Sequence, residues 1–506
     1  MKTIIPARLA PLPKKEPLAA LIKAYRAAFP KGELFLVGGT VRDALLGKGD
    51  SKDYDLVSRG VMAEQLEKFL KKLGRVDLVG KRFGVWKFLP KGFEESHALD
   101  IALPRTEHSF NEGGYRDVSV SSDPNLKIED DLARRDFTVN AMALKLTPKL
   151  ELIDPYEGRT DLRDKTLRTV GNAAERFRED YSRMLRAIRF SCQLGFKIDD
   201  ETMLGIRLYM QHVNDVRPTP GGNMRIVATE IIAREIIKAL VSDPTKAFDL
   251  LYDTTATDVL MPELLAMRGC GQPLAYHSEG DVWTHTRIAL TRIGDEGFVR
   301  YFGKEKPSAL VYLATLFHDI GKPPTKQTPE EHGTDRVRFN GHDLVGSEMT
   351  ESIARRLTFS APTEVGVDTD KLVWIVRFHL FTLSGKIEEI RPTTLEKYFF
   401  NPNLPGRELL QVIYCDSMAT VPEGGMKKEH LQHLDALMKR VAELEKLGAG
   451  KKLPPPILNG GEIMKLTKLK PGPEVGKLIA ALREAQLSGK VKTAAQATAF
   501  IRKIRL

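Results

Sequence analysis

Two aspartates stand two apart in KDYDLV, residues Lys52 to Val57, inside a run whose other members belong in a core. A strand turns alternate side chains to opposite faces, so Asp53 and Asp55 share one face while Tyr54 and Leu56 share the other. Two carboxylates held that close repel unless a cation lies between them, and paired oxygens suit Mg²⁺ or Mn²⁺. A solvated strand edge is the alternative. The flanking residues decide between the two.

Upstream, ELFLV reads as a strand, Gly38 and Gly39 break it, and VRDALLG reads as a short helix closed by Gly47. The glycines let the backbone come close to a ligand, and the free N–H groups of the following helix point at the same place. A phosphate fits there. Arg42, in the first turn, reaches the same anion, and Asp43 is a local cap or pairing partner. Downstream, MAEQLEKFLKKLG reads as a helix and FGVWKFL and HALDIAL as strands. In the last, Asp100 lies opposite Leu99, Ile101 and Leu103, which makes it either a third acid of the same cavity or an exposed acid on a half-buried strand.

The N-terminal part is therefore an α/β head. Beyond Asp161 the pattern turns almost wholly helical, with punctuation at 217–222, 268–273 and 448–456. A chain of 506 residues exceeds what one core organises, and four regions are expected: 1–160, 161–270, 271–420 and 421–506. No run approaches the ~20 apolar residues of a membrane span and no apolar leader follows the start, so a cytoplasmic protein without membrane contact is expected. Cys192, Cys270 and Cys415 are far apart and are expected as buried thiols. The net charge is +10, and from Val421 onward 17 Lys or Arg face 8 acids. The basic excess is thus nearly all C-terminal, as for a polyanion partner or a well-solvated surface.

Two further stretches carry chemistry. EDDLARRDFTVNAMAL (129–144) holds Arg134, Arg135, Asp136 and Asn140, a group able to contact a triphosphate and a ribose hydroxyl. EDYSRMLRAIRF (179–190) is helical, with Asp180 and Arg183 one turn apart. A carboxylate only accepts hydrogen bonds and a guanidinium only donates them. Cytosine and adenine each present an NH₂ donor beside a ring-nitrogen acceptor, so the pair matches them, whereas uracil and guanine present the reverse. Such a mismatch costs ~1–3 kcal/mol per buried group. A surface ion pair of no consequence is the alternative.

LVGGTVRDALLG with KDYDLV, then RRDFTVNAMA, LIDPYEGRTDL and EDYSRMLRAIRF, in this order, resemble the motifs of class II tRNA nucleotidyltransferases and bacterial poly(A) polymerases. The resemblance covers about residues 34–190. It implies a polymerase β-like nucleotidyltransferase head (1–160), a helical neck with the nucleotide template (161–270), and two helical regions beyond. It further implies that Asp53 and Asp55 are catalytic and bind Mg²⁺, with Asp100 a further candidate ligand. Gly38, Gly39, Arg42, Arg135, Asp136, Asn140, Arg186 and Arg189 would bind the nucleotide, and Asp180 with Arg183 would form a protein template for CTP and ATP. The implied partner is a tRNA 3′ end. The polar stretch 105–131 resembles the flexible loop that lets family enzymes switch from C to A, which points to CCA addition. A-adding, CC-adding and poly(A) activities are the alternatives, and no feature fixes an oligomeric state.

Six of the eleven histidines fall between His277 and His379. In ATLFHDIGKP an apolar helix ends at His318 and Asp319. The order His285, His318–Asp319, Asp416 resembles the HD phosphohydrolase superfamily over about 275–420, with His342 and His379 as candidates for a second metal or a phosphate. Mixed nitrogen and oxygen ligands suit Ni²⁺, Mn²⁺ or Co²⁺. The different-class alternative is an HD-type phosphohydrolase acting on RNA ends, with the head as RNA-binding module. The final segment, with Lys465, Lys468, Lys470 and Lys477, resembles the C-terminal part of the same family and implies contact with RNA phosphates.

Overall fold

A computed structural model describes residues 5–48, 54–79, 84–110, 112–114, 117–220, 222–383, 387–426, 431–447 and 453–504. Asp53 lies outside them. The chain divides into two compact units, one of residues 1–242 with 249–260, the other of 243–248 with 261–506.

Among the described residues of the first unit, the first nine of thirteen strands are β1 (Glu33–Val37), β2 (Tyr54–Arg59), β3 (Gly74–Val79), β4 (Val85–Pro90), β5 (Leu99–Ala102), β6 (Arg105–Ser109), β7 (Val118–Ser122), β8 (Ala143–Thr147) and β9 (Glu151–Ile153). Seven form a mixed sheet in the order β3-β4-β5-β2-β1-β8-β9, in which only β2 and β5 pair in parallel. The central β1 buries Leu34, Phe35, Leu36 and Val37 on both faces. Along β2 the expected alternation holds: Tyr54 and Leu56 are buried and Asp55 is exposed. Val57, two residues on, faces the same way as Asp55. It packs with Phe35, Val37, Ile128, Leu132, Ala141 and Ala143 in one apolar cluster. Asp55 therefore stands where a covered sheet face gives way to open space.

The 105–131 stretch, expected as a loop, instead contains the antiparallel β6–β7 pair and a helix, Ile128–Ala133. Alternate Thr106, Val118 and Val120 among polar neighbours supply enough β propensity for a small ribbon. The break read at 217–222 falls instead in an antiparallel pair of short strands, Val216–Thr219 and Gly222–Arg225, within the first unit. The edge strand β3 escaped sequence reading because it follows directly on a helix and most of its side chains, Leu78 and Val79 included, are exposed.

The second unit is helical. Its interior helix, Ala309–Phe317, is apolar all round and buries every residue from Leu310 to Phe317, as a central helix must. The helices Val282–Arg292, His342–Arg356, Thr369–Phe378 and Gly406–Ala419 belong to the same unit. The helices Gly460–Thr467, Pro473–Leu487 and Ala494–Ile504 share a separate apolar cluster built on Ile463, Leu482, Ala497 and Ile501. All three cysteines are free and buried. Among the described residues no helix is long and apolar enough to cross a membrane.

Candidate active site and histidine cluster

The register of the sheet sets Asp55 directly beside Asp100 on the neighbouring parallel strand. Parallel neighbours in register present their side chains to the same face, so the two carboxylates open into one cavity of about 740 Å³. Asp100 is exposed on its half-buried strand and lines the same cavity as Asp55. Gly38 adopts φ +74° at the end of β1. A Cβ there would come within 2.9 Å of Arg135 Nη1 and 3.7 Å of Asp55 Oδ2, so only glycine brings the strand end this close to both groups.

Arginines cross the cavity and are held in place. Arg42 is buried and donates from Nη1 to Asn140 Oδ1 (2.6 Å) and from Nε and Nη2 to Asp43 (both 2.9 Å). Asp43 thus acts as the pairing partner that sequence reading had offered as one of two roles. Asn140 in turn donates to Asp136 Oδ1 (3.1 Å), and Arg186 donates twice to Asp136 Oδ2 (3.0 and 2.5 Å). Burial would raise the Asp136 carboxyl, but the Arg186 charge and the Asn140 and Arg186 hydrogen bonds outweigh it and hold the group well below the usual carboxylate range. Arg186 is raised in return: desolvation opposes its charge, but the Asp136 and Glu235 charges and the hydrogen bond to Asp136 together outweigh it.

Asp180 and Arg183 also line this cavity, but they are not hydrogen-bonded to each other: Arg183 Nε and Asp180 Oδ2 are 3.9 Å apart. Each is fixed separately. Asp180 Oδ1 accepts from Ser182 N (2.9 Å) and Ser182 Oγ (2.6 Å). Arg183 donates to Glu179 Oε2 (2.6 Å) and to the carbonyls of Arg176 and Arg134 (both 3.2 Å). Burial pushes the Asp180 carboxyl above its ordinary range. Arg189 stacks on Phe190, 3.9 Å from the ring centroid, and donates to the buried Glu235 (2.5 Å).

Several supporting acids were not singled out from sequence. Asp131, fully buried, accepts from Arg134 (2.8 Å) and Arg135 (3.3 Å). Its signal was present, since it lies three and four residues before these arginines on a helical stretch. Glu107 on β6 accepts from Arg105 (3.1 Å) and Arg134 (2.7 Å), and Glu235 lies 46 residues from Arg189. No local spacing reveals those two.

In the second unit, one oxygen of Asp319 faces each of two groups. Asp319 Oδ2 is 3.3 Å from His318 Nε2 and 3.6 Å from His285 Nε2, while Oδ1 is 3.4 Å from His342 Nε2 and 3.8 Å from His379 Nε2. Asp416 Oδ1 is 3.0 Å from His285 Nε2 and 3.7 Å from His318 Nε2. All six residues expected from the sequence are thus together. His318, His342 and His379 each direct Nδ1 at the carbonyl three residues earlier, at 2.8, 2.8 and 2.6 Å. With the proton on Nδ1, the Nε2 lone pair points into the cluster, which is the tautomer a metal requires. His342 Nε2 and His379 Nε2 are buried without a hydrogen bond among the described residues, whereas Asp319 Oδ2 pairs with Lys322 Nζ at 2.7 Å. Such orphaned nitrogen atoms beside a buried carboxylate fit a divalent cation. Burial opposes charge on His285, but hydrogen bonds to Asp416 and Glu279 prevail and push its pKa up to about 9.

Residues 34–168 match the Poly A polymerase head domain, and residues 280–417 match the HD domain. An A-adding tRNA nucleotidyltransferase of Deinococcus radiodurans is 31% identical over 479 residues, covering 94% of this chain and 96% of that protein. A multifunctional CCA protein of Neisseria gonorrhoeae is 35% identical over 350 residues, 69% of this chain and 74% of that one. In fold the chain is similar to the CCA-adding enzyme of Bacillus stearothermophilus solved in complex with CTP, with a TM-score of 0.60 at 20% identity, over 99% of this chain and 98% of that one.

Proposed function

The chain belongs to the family of class II tRNA nucleotidyltransferases and bacterial poly(A) polymerases and carries an HD domain, and from that premise we propose that it adds C, C and A to tRNA 3′ ends using CTP and ATP. The observation that carries the reading is the single cavity that holds Asp55 and Asp100 at one part and Asp180 and Arg183 at another, with Arg135, Asp136, Asn140 and Arg186 also on its wall.

In this reading Asp53 and Asp55, with Asp100 beside Asp55, would hold Mg²⁺ through oxygen donors alone, as that ion prefers. When bound, such a metal would supply Lewis-acid activation of the RNA 3′-hydroxyl and charge neutralisation at the leaving pyrophosphate. The protein's own part is positioning. Gly38 and Gly39 bring backbone to the triphosphate, Arg42, Arg135 and Arg189 offset its charge, and Asp136 with Asn140 and Arg186 forms a fixed seat for the ribose. Asp180 accepts from the base NH₂ and Arg183 donates to the ring nitrogen. With Asp180 Oδ1 and the Arg183 Nη atoms engaged elsewhere, Asp180 Oδ2 and Arg183 Nε, 3.9 Å apart, are the atoms that would face a base. The attacking oxygen forms its bond to the α-phosphorus as the bond to pyrophosphate breaks.

The HD cluster would hold a transition metal such as Ni²⁺, Mn²⁺ or Co²⁺ through His285, His318, Asp319 and Asp416, with His342 and His379 completing a second position. A phosphohydrolase acting on RNA ends or small phosphoesters follows from it. The working division into head, neck, HD and C-terminal regions is 1–160, 161–270, 271–420 and 421–506. In the last, the exposed Lys465, Lys468, Lys470 and Lys477 would contact tRNA phosphates. With tRNA as substrate, the enzyme works in the cytoplasm.

Addition of A alone is the second reading, because the A-adding relative matches this chain over nearly its full length. Three tRNA transcripts, lacking CCA, CA or only the final A, each incubated with single nucleotides, separate the two. CCA addition gives CMP incorporation on the first two and AMP on the third. AMP on the third with no CMP on the others selects the A-adding reading, and no incorporation on any transcript removes both.

A further inference from the structure

His285 differs from the other three histidines of the cluster in what holds its outer nitrogen. His318, His342 and His379 use main-chain carbonyls, which no substitution removes. His285 Nδ1 instead meets a side chain, Glu279 Oε1, at 2.8 Å. The same oxygen accepts from His277 Nδ1 at 2.7 Å, and Glu279 Oε2 accepts from the backbone N–H of Val421 at 2.9 Å. Glu279 is itself buried, with only 2% of its side chain exposed.

Two consequences follow from this geometry. A carboxylate can only accept, so Nδ1 of His285 donates to Glu279 and stays protonated, which leaves Nε2, 3.0 Å from Asp416 Oδ1 and 3.3 Å from His318 Nε2, as the nitrogen that would give up its proton to ligate a cation. Val421 also follows closely on the helix Gly406–Ala419 that carries Asp416, so one carboxylate ties the His285 segment to the end of the Asp416 helix. Two ligands from helices 131 residues apart in sequence are thereby held at one distance.

We propose that Glu279 is a positioning residue of the histidine cluster, fixing the tautomer of His285 and its spacing from Asp416 so that both ligate a divalent transition metal. The inference rests on reading His285, His318, Asp319 and Asp416 as metal ligands. Glu279 does not itself touch the ion.

The test uses the full-length, tag-free chain freed of metal with a chelator, with Ni²⁺ as the probe in isothermal titration calorimetry. Glu279→Ala is expected to weaken Ni²⁺ binding by about 10- to 100-fold with unchanged stoichiometry. Glu279→Gln keeps an acceptor for His285 and is expected to lie between that variant and wild type. Because Glu279→Ala removes a buried hydrogen-bonded group, its fold is checked by circular dichroism, and Glu279→Gln carries the test if it does not fold. His277→Ala removes the other partner of Oε1 and an edge-on ring contact with His285 (centroids 5.2 Å apart) but leaves the Glu279–His285 hydrogen bond, and it is expected to bind Ni²⁺ within about threefold of wild type. Nucleotide addition to tRNA, which uses the first unit, stays at wild-type rate in all three variants. Wild-type affinity in folded Glu279 variants would overturn the inference alone. Loss of a whole equivalent of Ni²⁺ in Glu279→Gln, or a drop in His277→Ala as large as in Glu279→Ala, would overturn it by making Glu279 and His277 ligands. Failure of the wild-type chain to bind Ni²⁺ at all would remove the metal reading and the inference with it.

Discussion

Arg186 reaches across 50 residues of sequence to donate two hydrogen bonds to one oxygen of Asp136, at 3.0 and 2.5 Å. The other oxygen accepts from Asn140 and from the Phe137 backbone N–H. A folded-state pKa held below the unfolded value, about 3.9 for aspartate, contributes stability that is complete well above the unfolded value and is lost progressively as pH falls from there through the lower folded value. Melting temperature should therefore fall between about pH 5 and 3 more steeply in wild type than in Asp136→Asn. At pH 7 the same variant should be less stable by about 1–3 kcal/mol, since Arg186 loses a charged partner. A wild-type acid limb in Asp136→Asn would refute this account of the pair.

Asp180 and Arg183 are each anchored by other groups, so substituting one leaves the other in place. Asp180→Ala and Arg183→Ala should each relax discrimination against UTP and GTP, by about tenfold for every ~1.4 kcal/mol of mismatch penalty lost. The comparison is kcat/KM for all four nucleotides on one tRNA transcript. Equal loss for all four would make the pair structural.

Asp55 and Asp100 share a register but not a task. Asp55→Ala should abolish addition while leaving tRNA affinity, which depends on basic residues, near wild type in a filter-binding titration. Asp100→Asn should lower the rate by about 10- to 100-fold and raise the Mg²⁺ concentration for half-maximal rate. Unchanged Mg²⁺ dependence in Asp100→Asn would leave Asp100 outside the metal site.

At Gly38 the backbone occupies a region that L side chains rarely adopt. Gly38→Ala should cost about 1–3 kcal/mol in urea unfolding. The new methyl also displaces Arg135, so KM for CTP and ATP should rise. A rise in neither quantity would mean that the strand end adjusts freely.

The two candidate sites lie in different compact units. Asp319→Ala should therefore remove metal-dependent phosphate release from small phosphoesters or cyclic 2′,3′-phosphate ends and keep CTP incorporation close to wild type. Equal loss of both activities in a folded variant would show that the sites are coupled.

Much of the site was legible because it is written in short periods. A strand repeats every two residues and a helix every three to four, so the outward Asp55, the glycine break at Gly38 and the Asp180 and Arg183 spacing could be read from neighbours alone. The order His285, His318, Asp319, Asp416 was legible for another reason: so few residue types ligate metals that their order is informative. Tertiary structure decided everything that joins distant segments. Only the parallel register of β2 and β5 sets Asp100 beside Asp55, and only packing brings Arg186 to Asp136, Glu235 to Arg189 and Glu107 to Arg134. The separation of Asp180 from Arg183 was likewise invisible, since it depends on which of several acceptors each side chain finds. Glu279 stood six residues from His285 in plain view, yet its role depends on Val421 and on the direction in which a buried imidazole points. Local periodicity determines which face a side chain takes, whereas the partner it meets is settled by chain closure over tens of residues, where burial forces each polar group to find one.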